Sequence, residues 1–210
     1  MVYNKGVKAI YYDQWDSSFI PEIYKFVYTN NIFQPYFYGK SNLTIVDVGA
    51  GIGIATNYFS EFGKVYSFEP CLETYKCLTE MVKFNKLDVE TQQIAISDKN
   101  GEEKLYHSNN STANSLMEAV SNGSSEIVVC RTLGDVLKPI KHVDYLWLEL
   151  EGKEFDVLAS PSFDEIVPKV DMIMGTISNW NNRNPGQIIQ SLTDRGYKAK
   201  VNGEIFYGQK

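Results

Sequence analysis

The most informative part of the sequence is Ile45-Val46-Asp47-Val48-Gly49-Ala50-Gly51-Ile52-Gly53. It lies within and just after an apolar, largely β-branched run, Leu43–Val48, of the kind that forms a buried strand. Three alternating glycines follow, and glycine permits both a sharp turn and the close approach of a ligand. Apolar residues then recur at helical spacing over 54–62. The stretch therefore predicts a strand, a ligand-binding loop and a helix in direct succession.

The spacing of these glycines disfavours a nicotinamide dinucleotide. The fingerprint for such a cofactor is Gly-x-Gly-x-x-Gly. Counted from Gly49, its third glycine falls at position 54, which is Ile54. Asp47 would repel phosphate groups but would attract a cationic ligand. The loop is therefore suited to a ligand that has positive charge and lacks a pyrophosphate.

A second acid follows the next apolar run. Residues 64–68 predict a strand, and Glu69 ends it, 20 residues after Gly49. In doubly wound nucleotide-binding sheets an acid at this position holds ribose hydroxyls. S-adenosylmethionine (SAM) carries a ribose, an ammonium and a sulfonium, and it has no phosphate. The two acids and the glycine loop together predict SAM as the cofactor, and the alternative is a glycine turn beside a surface glutamate.

Outside this unit, strands and helices continue to alternate. Further strands are predicted at Tyr145–Leu150 and Val170–Ile177, which implies a mostly parallel sheet covered by helices on both faces. Asn202-Gly203, between two strand-like runs, predicts a C-terminal antiparallel hairpin. The Ser- and Asn-rich residues 108–125 predict a loop or lid. The domain organisation expected is an aromatic helical extension at 1–40 and a cofactor-binding domain at 41–210.

Composition and charge restrict the class of partner. The chain has 210 residues, 43% of them hydrophobic, which is typical of a globular protein. It carries 20 Lys+Arg against 26 Asp+Glu, a net charge of -6. Nucleic-acid binding requires dense basic surfaces, so a nucleic-acid partner is disfavoured.

Cysteine and targeting patterns favour a cytoplasmic protein. The 3 cysteines show no Cys-x-x-Cys spacing and there are only 2 histidines, so no metal centre is predicted. The N-terminus lacks a signal-peptide pattern. The weakly charged residues 42–60 contain three glycines and Asp47, which disfavours a membrane span. A homo-oligomer is compatible with the sequence.

Several motifs in order resemble a known family. Asp47-Val48-Gly49-Ala50-Gly51-Ile52-Gly53 looks like motif I of class I SAM-dependent methyltransferases, and the wider pattern resembles the FkbM family. The matching pieces are Phe68-Glu69-Pro70, Asn85, Gln93-Ile94-Ala95-Ile96-Ser97-Asp98 with Gly101, Ser115, Thr132-Leu133-Gly134-Asp135-Val136-Leu137 and Leu148-Glu149-Leu150-Glu151-Gly152-Lys153-Glu154. The resemblance covers about residues 43–160. It implies a doubly wound, mostly parallel seven-stranded α/β sheet of Rossmann-like methyltransferase type.

The resemblance also implies site residues. The residues expected to bind the cofactor are Asp47, Gly49, Ala50, Gly51, Gly53, Glu69 and Pro70, with Ile94 and Ala95 beside the adenine. Glu149 and Glu151 are the candidate catalytic acids, one of them in contact with the cofactor's methionine end or the acceptor. Their alternative interpretations are loop acids that complement a helix dipole and ligands of a magnesium ion. Trp147, Glu149 and Gly175 depart from the family's usual residues.

The implied activity is methylation of a small-molecule or sugar hydroxyl, with S-adenosylhomocysteine as the product. The alternatives are a nitrogen, protein or nucleic-acid acceptor, and a degenerate SAM-binding interaction module. The aromatic residues of the N-terminal extension are candidates for lining the acceptor site, or for ordinary packing. These residues are Tyr11, Tyr12, Trp15, Tyr36 and Tyr38.

Overall fold

A seven-stranded sheet forms the centre of the protein. A computed structural model describes residues 2–4, 7–9, 20–109, 113–178 and 182–210. The strands are β1 (Val2–Asn4), β2 (Val7–Ala9), β3 (Leu43–Val48), β4 (Gly63–Phe68), β5 (Val89–Gln92), β6 (Ala95–Ile96), β7 (Gly101–Tyr106), β8 (Ser125–Arg131), β9 (Val143–Leu148), β10 (Val170–Thr176), β11 (Lys198–Asn202) and β12 (Ile205–Gln209).

Helices connect and cover these strands. The α-helices are α1 (Ile20–Tyr24), α2 (Gln34–Phe37), α3 (Ile54–Phe59), α4 (Leu72–Asn85), α5 (Leu133–Leu137), α6 (Glu154–Ala159), α7 (Pro161–Ile166) and α8 (Gly186–Asp194). A π-helical segment, Lys25–Thr29, follows α1, and short 3₁₀ turns occupy Glu118–Val120 and Val167–Lys169. None of the described helices is both long enough and apolar enough to span a bilayer.

The strand order places a ligand-binding crevice beside β3. The order in the large sheet is β11-β12-β10-β9-β3-β4-β5, with β12 antiparallel to both of its neighbours and the other pairs parallel. The chain builds outward from β3 in one direction through β4 and β5, and later fills the other side with β9 and β10. Ligands in such sheets bind at the carboxyl ends of the strands where the order reverses. The predicted fold class and C-terminal hairpin are confirmed.

Side chains of the central strands point alternately to the two faces of the sheet, and each face packs into an apolar layer. Val46, Leu146 and Ile173 point into a layer that contains α5 to α8. Ile45 and Trp147, with Leu43 and Tyr145, point into a second layer that contains α3 and the N-terminal helices. Because strands buried on both faces carry apolar side chains in both directions, these runs are nearly continuous in sequence.

The N-terminal segment is part of the second layer. Phe33 and Phe37 are each 1% exposed, and the Phe33 ring lies 4.9 Å from the Trp147 ring in an edge-on arrangement. The Tyr145 hydroxyl donates a hydrogen bond to the Tyr36 carbonyl oxygen, which ties α2 to β9. The described part of the segment therefore packs directly on the central sheet.

Two features differ from the sequence predictions. The strand predicted at Tyr145–Leu150 is β9, which ends at Leu148, so Glu149 follows the strand. A separate three-stranded sheet, ordered β6-β8-β7, lies beyond β5, and the sequence did not predict it. Its central strand β8 alternates exposed and buried side chains from Ile127 onwards, and two edge strands from earlier in the chain complete it.

Candidate functional site

The glycine loop after β3 is held tightly between the ends of β4 and β9. The amides of Gly49 and Ala50 both donate to the Phe68 carbonyl oxygen, at 2.9 and 3.0 Å. Gly49 has φ +77°, and a Cβ there would lie 1.9 Å from the Glu149 carbonyl oxygen. Only glycine fits this position, because both the backbone conformation and the neighbouring strand exclude a side chain.

Glu69 braces the same loop from the end of β4. Its Oε2 accepts a hydrogen bond from the Gly51 amide at 2.8 Å. Its Oε1 accepts from the Cys71 amide at 2.9 Å and from Thr74 Oγ1 at 2.7 Å. Burial raises the pKa of Glu69, although these three donors act in the opposite direction. Oε2 keeps one lone pair for a further donor, since a carboxylate oxygen accepts about two hydrogen bonds.

Asp47 is buried beneath the loop with one oxygen unsatisfied. The side chain is 0% exposed, and its Oδ2 accepts from Thr56 Oγ1 at 2.5 Å. Its Oδ1 has no hydrogen-bond partner among the described residues. Burial raises the pKa of Asp47 to about 7. An orphaned buried acceptor is costly, so this atom is suited to a donor supplied by a ligand.

A cleft, here called the cofactor cleft, opens beside the loop. It is lined by Gly49, Gly51, Phe68, Glu69, Pro70, Thr74, Ile94, Ala95, Ile96, Leu105, Asn114, Ser115, Leu116, Glu149, Leu150, Glu151 and Lys153. The cleft has apolar walls from β6 and β7 on one side and acids on the other. Such a lining suits a ligand with a flat apolar ring and a polar end.

Glu149 and Glu151 occupy a loop that Glu154 shapes. The Glu149 amide continues the sheet by donating to the Val48 carbonyl oxygen at 2.9 Å. Glu154, 0% exposed, accepts from the Leu150 amide at 2.8 Å and from the Gly152 amide at 2.9 Å. Glu154 is also the first residue of α6, where a carboxylate complements the helix dipole. The hydrogen bonds that Glu154 accepts hold the two candidate catalytic acids at the carboxyl edge of the sheet.

The pKa of Glu149 is strongly perturbed. Burial is the main cause, and the nearby carboxylates of Glu151 and Asp47 add to it, so that the pKa rises to about 8. Perturbed carboxyls in a cleft mark candidate functional groups. Glu149 therefore releases its proton close to neutral pH.

A second space lies on the other side of Glu149. Two adjoining cavities of about 1120 and 1100 Å³ share Glu22, Ile23, Glu149, Glu151 and Glu204. Phe26, Thr176, Ile177 and Ser178 complete one of them, and Asp47, Gly49, Ala50, Gly51, Ile52, Ile54 and Ala55 complete the other. We call the two together the acidic cavity. Its acids come from α1, from β3, from the loop after β9 and from the turn between β11 and β12. The fold brings these elements to one edge of the sheet.

The structure separates the predicted cofactor residues into three groups. Gly49, Gly51, Glu69, Pro70, Ile94 and Ala95 line the cofactor cleft. Asp47 and Ala50 line the acidic cavity, as do Gly49 and Gly51. Gly53 lines neither space. It caps α3 with φ +91°, and a Cβ there would meet Met81 Cε at 2.5 Å.

The aromatic residues predicted near the acceptor lie elsewhere or outside the described residues. Tyr36 stacks near Tyr207, with ring centroids 5.5 Å apart, and lines a separate cavity with Met172. Tyr38 is 83% exposed. The remaining three, Tyr11, Tyr12 and Trp15, fall outside the part of the chain that the structure describes.

Sequence reasoning missed several lining residues. Glu22 and Glu204 were not predicted, because each is an ordinary exposed acid in its local context. Lys153 was also missed; it forms a 2.8 Å ion pair with Asp98, whose pKa is lowered by that contact. Ser115, which belongs to the family-like motif set, donates to the Glu151 carbonyl oxygen at 2.7 Å.

Comparison with known proteins gives a family match and several structures of the same fold. The family model described as "Methyltransferase FkbM domain" matches residues 47–199. No curated protein matches the chain significantly. Among solved structures, precorrin-6y C5,15-methyltransferase from Geobacter metallireducens is 12% identical with a TM-score of 0.51, covering 86% of this chain and 85% of that chain.

Two further solved structures have the same fold. An rRNA methylase from Streptococcus thermophilus is 10% identical with a TM-score of 0.51, covering 87% of this chain and 93% of that chain. Magnesium protoporphyrin IX methyltransferase from Synechocystis, solved with bound SAM, is 8% identical with a TM-score of 0.50. The match covers 91% of this chain and 77% of that chain. At these identities the likeness concerns the fold alone.

Proposed function

Since the chain belongs to the FkbM methyltransferase family, which its match over residues 47–199 shows, we propose that it transfers the methyl group of SAM to a hydroxyl of a small molecule or sugar. The observation that carries this proposal is the position of Glu149. Glu149 lines both the cofactor cleft and the acidic cavity, so this residue stands at the boundary between the two spaces.

The chain offers a matching group for each part of the cofactor. Glu69 Oε2, beside Gly51, is the acceptor for ribose hydroxyls. Ile94 and Ala95 supply an apolar wall for the adenine. The unpartnered Oδ1 of Asp47 is the acceptor for the ammonium group. SAM supplies an already activated methyl group, so the protein mainly has to align the acceptor oxygen with it.

Glu149 is then positioned to receive the proton of the acceptor hydroxyl. A general base works best when its pKa is near the operating pH, and burial raises the pKa of Glu149 to about 8. A cation bound nearby lowers that pKa, because it favours the charged carboxylate. We therefore assign Glu149 as the base and Glu151 as a second acid that adds negative potential at the same edge.

Calorimetric titration with S-adenosylhomocysteine tests the cofactor assignment. We expect binding by the unmodified protein and a loss of about tenfold in affinity for Glu69→Ala, because a charged hydrogen bond to the ribose and the hydrogen bond that holds the Gly51 amide are both lost. Glu165→Gln, an exposed acid on α7 that lines neither space, is the control and should bind normally. Absence of binding at millimolar ligand would refute the proposal.

A turnover assay with methyl-labelled SAM and a panel of hydroxylated small molecules and sugars tests the chemistry. Glu149→Gln should lower kcat by about 10²-fold or more while S-adenosylhomocysteine still binds, because general-base contributions are of this size. The pH dependence of kcat should also lose its rise near neutral pH. Binding without turnover over the whole panel would instead favour the degenerate SAM-binding module.

A further inference from the structure

The acidic cavity carries more negative groups than the cofactor alone requires. Its described lining includes five carboxylic acids and neither lysine nor arginine. The acids are Glu22, Asp47, Glu149, Glu151 and Glu204. SAM has two positive groups and one carboxylate, a net charge of about one. Asp47 and Glu149 lie next to the glycine loop and can meet that charge. Glu22 and Glu204 are the exposed, outer acids of the cavity, and they stand on α1 and on the turn between β11 and β12.

Two unsatisfied polar atoms face the same space. Asp47 Oδ1 belongs to a fully buried side chain and has no hydrogen-bond partner among the described residues. Thr176 Oγ1, on the wall shared with Glu22 and Glu204, is likewise buried without a partner within the described chain. A buried polar atom without a partner is expensive. Because Asp47 Oδ1 is assigned above to the cofactor, Thr176 Oγ1 is the atom left for a second ligand, and an N–H or O–H group of that ligand can pair with it.

The spacing of the acids favours an extended organic cation over a metal ion. A metal site needs several ligand atoms gathered around one point. Among the described residues, sets of three potential ligand atoms within 4.8 Å of one another occur at Cys71, His107 and Glu126, and at a second surface cluster. The acids of this cavity do not form such a set. They are distributed along a space large enough for a sugar-sized molecule.

We propose that the methyl acceptor is a hydroxyl-bearing organic amine, such as an amino sugar or an amino alcohol. Its protonated amine lies against Glu22 and Glu204, and its hydroxyl is directed towards Glu149. In the transfer the acceptor oxygen forms a bond to the methyl carbon while the carbon–sulfur bond breaks and its electron pair stays on sulfur. The hydroxyl proton passes to the Glu149 carboxylate. This proposal rests on the proposed methyltransferase function.

The test compares matched charged and neutral probes on the protein saturated with S-adenosylhomocysteine. Glucosamine is compared with N-acetylglucosamine and glucose, and ethanolamine and 4-aminocyclohexanol with their N-acetylated forms. Affinity is measured by calorimetry. At least one amine should bind about tenfold more tightly than its neutral counterpart, because each charge pair at a partly exposed site contributes up to about a factor of five.

The variant Glu22→Gln/Glu204→Gln should abolish this preference and leave the affinity for S-adenosylhomocysteine unchanged. Glu80→Gln/Glu102→Gln makes the same change in net charge at two exposed positions outside the cavity and should preserve the preference. Equal affinity for charged and neutral probes, absence of binding by every amine, or a preference that survives the Glu22 and Glu204 changes would overturn the proposal.

A titration with Mg²⁺ alone tests whether the acidic cavity is a metal site. Micromolar Mg²⁺ binding that is lost in the Glu22 and Glu204 variant would also overturn the proposal, in favour of a metal site. Failure of S-adenosylhomocysteine to bind would refute the methyltransferase function itself. Normal S-adenosylhomocysteine binding without amine preference refutes only the cationic acceptor, so the two failures are distinguishable.

Discussion

Replacing Gly49 by alanine should destabilise the protein and abolish cofactor binding. The added Cβ would lie 1.9 Å from the Glu149 carbonyl oxygen and 2.9 Å from its carbonyl carbon. Ordinary contact begins at 3.4 Å, so the loop and the end of β9 would have to part by roughly 1.5 Å. That movement would pull Glu149 away from the glycine loop and widen the boundary between the two cavities.

Two contributions determine how much Gly49→Ala lowers the free energy of unfolding. A positive φ costs an alanine about 1–2 kcal/mol relative to glycine. Overpacking a close contact typically costs about 1–3 kcal/mol. The expected loss in the free energy of unfolding is therefore about 2–5 kcal/mol, a large part of the roughly 5–15 kcal/mol that holds a domain of this kind folded.

Urea unfolding of the two proteins, followed by circular dichroism, measures this loss. Gly196→Ala is the matched control, because Gly196 has φ +86° and a Cβ there meets nothing within 4 Å. It should lose only about 1–2 kcal/mol, the backbone cost alone. If Gly49→Ala and Gly196→Ala lower stability equally, the close approach of the glycine loop to β9 is refuted.

Three further changes test the buried acids. Without ligand, the free energy of unfolding should fall as pH rises from about 5 to about 8, because the folded pKa values of Asp47 (about 7), Glu149 and Glu154 (both about 8) exceed their unfolded values. The folded state then holds protons that the unfolded state has released, and a flat or rising profile would contradict this. Glu154→Gln should cost about 1–3 kcal/mol in a denaturant melt, because only one of its two backbone amides keeps an acceptor, and it should lower turnover through the Glu149 loop. Thr56→Val should cost about 1–3 kcal/mol by removing the donor to Asp47, whereas Thr193→Val, exposed on α8, should change stability by less than about 0.5 kcal/mol.

The central sheet could be predicted because each of its strands is indicated by the residues of the strand itself. A buried parallel strand has an apolar run, and β3 was predicted with its observed bounds, Leu43–Val48. The hairpin was predictable because Asn202-Gly203 has the turn chemistry it requires. The small sheet was not, because β8 is exposed on one side and its partners lie earlier in the chain. The apolar run at 127–130 is compatible with a strand, but no local signal shows which strands pair with it.

The cofactor side of the candidate site was more predictable than the acceptor side. The glycines, Glu69 and Asp47 are close together in sequence, so their spacing could be interpreted directly. Glu22 and Glu204 lie near opposite ends of the chain, and only the folded sheet brings them to one cavity. The sequence assigned Gly53 to the cofactor site, but a glycine is required there because the position packs against Met81, and the residue lines neither cavity.

The outer wall of the acidic cavity has a consequence for protein engineering. The cofactor cleft is built by residues 49–153, whereas the outer acids stand on α1 and on the turn between β11 and β12. Under the proposed function, the residues that hold the methyl donor and the two outer acids that select its acceptor are therefore encoded in different parts of the chain. Libraries confined to α1 and the terminal hairpin turn should then change acceptor choice while the affinity for the methyl donor stays intact.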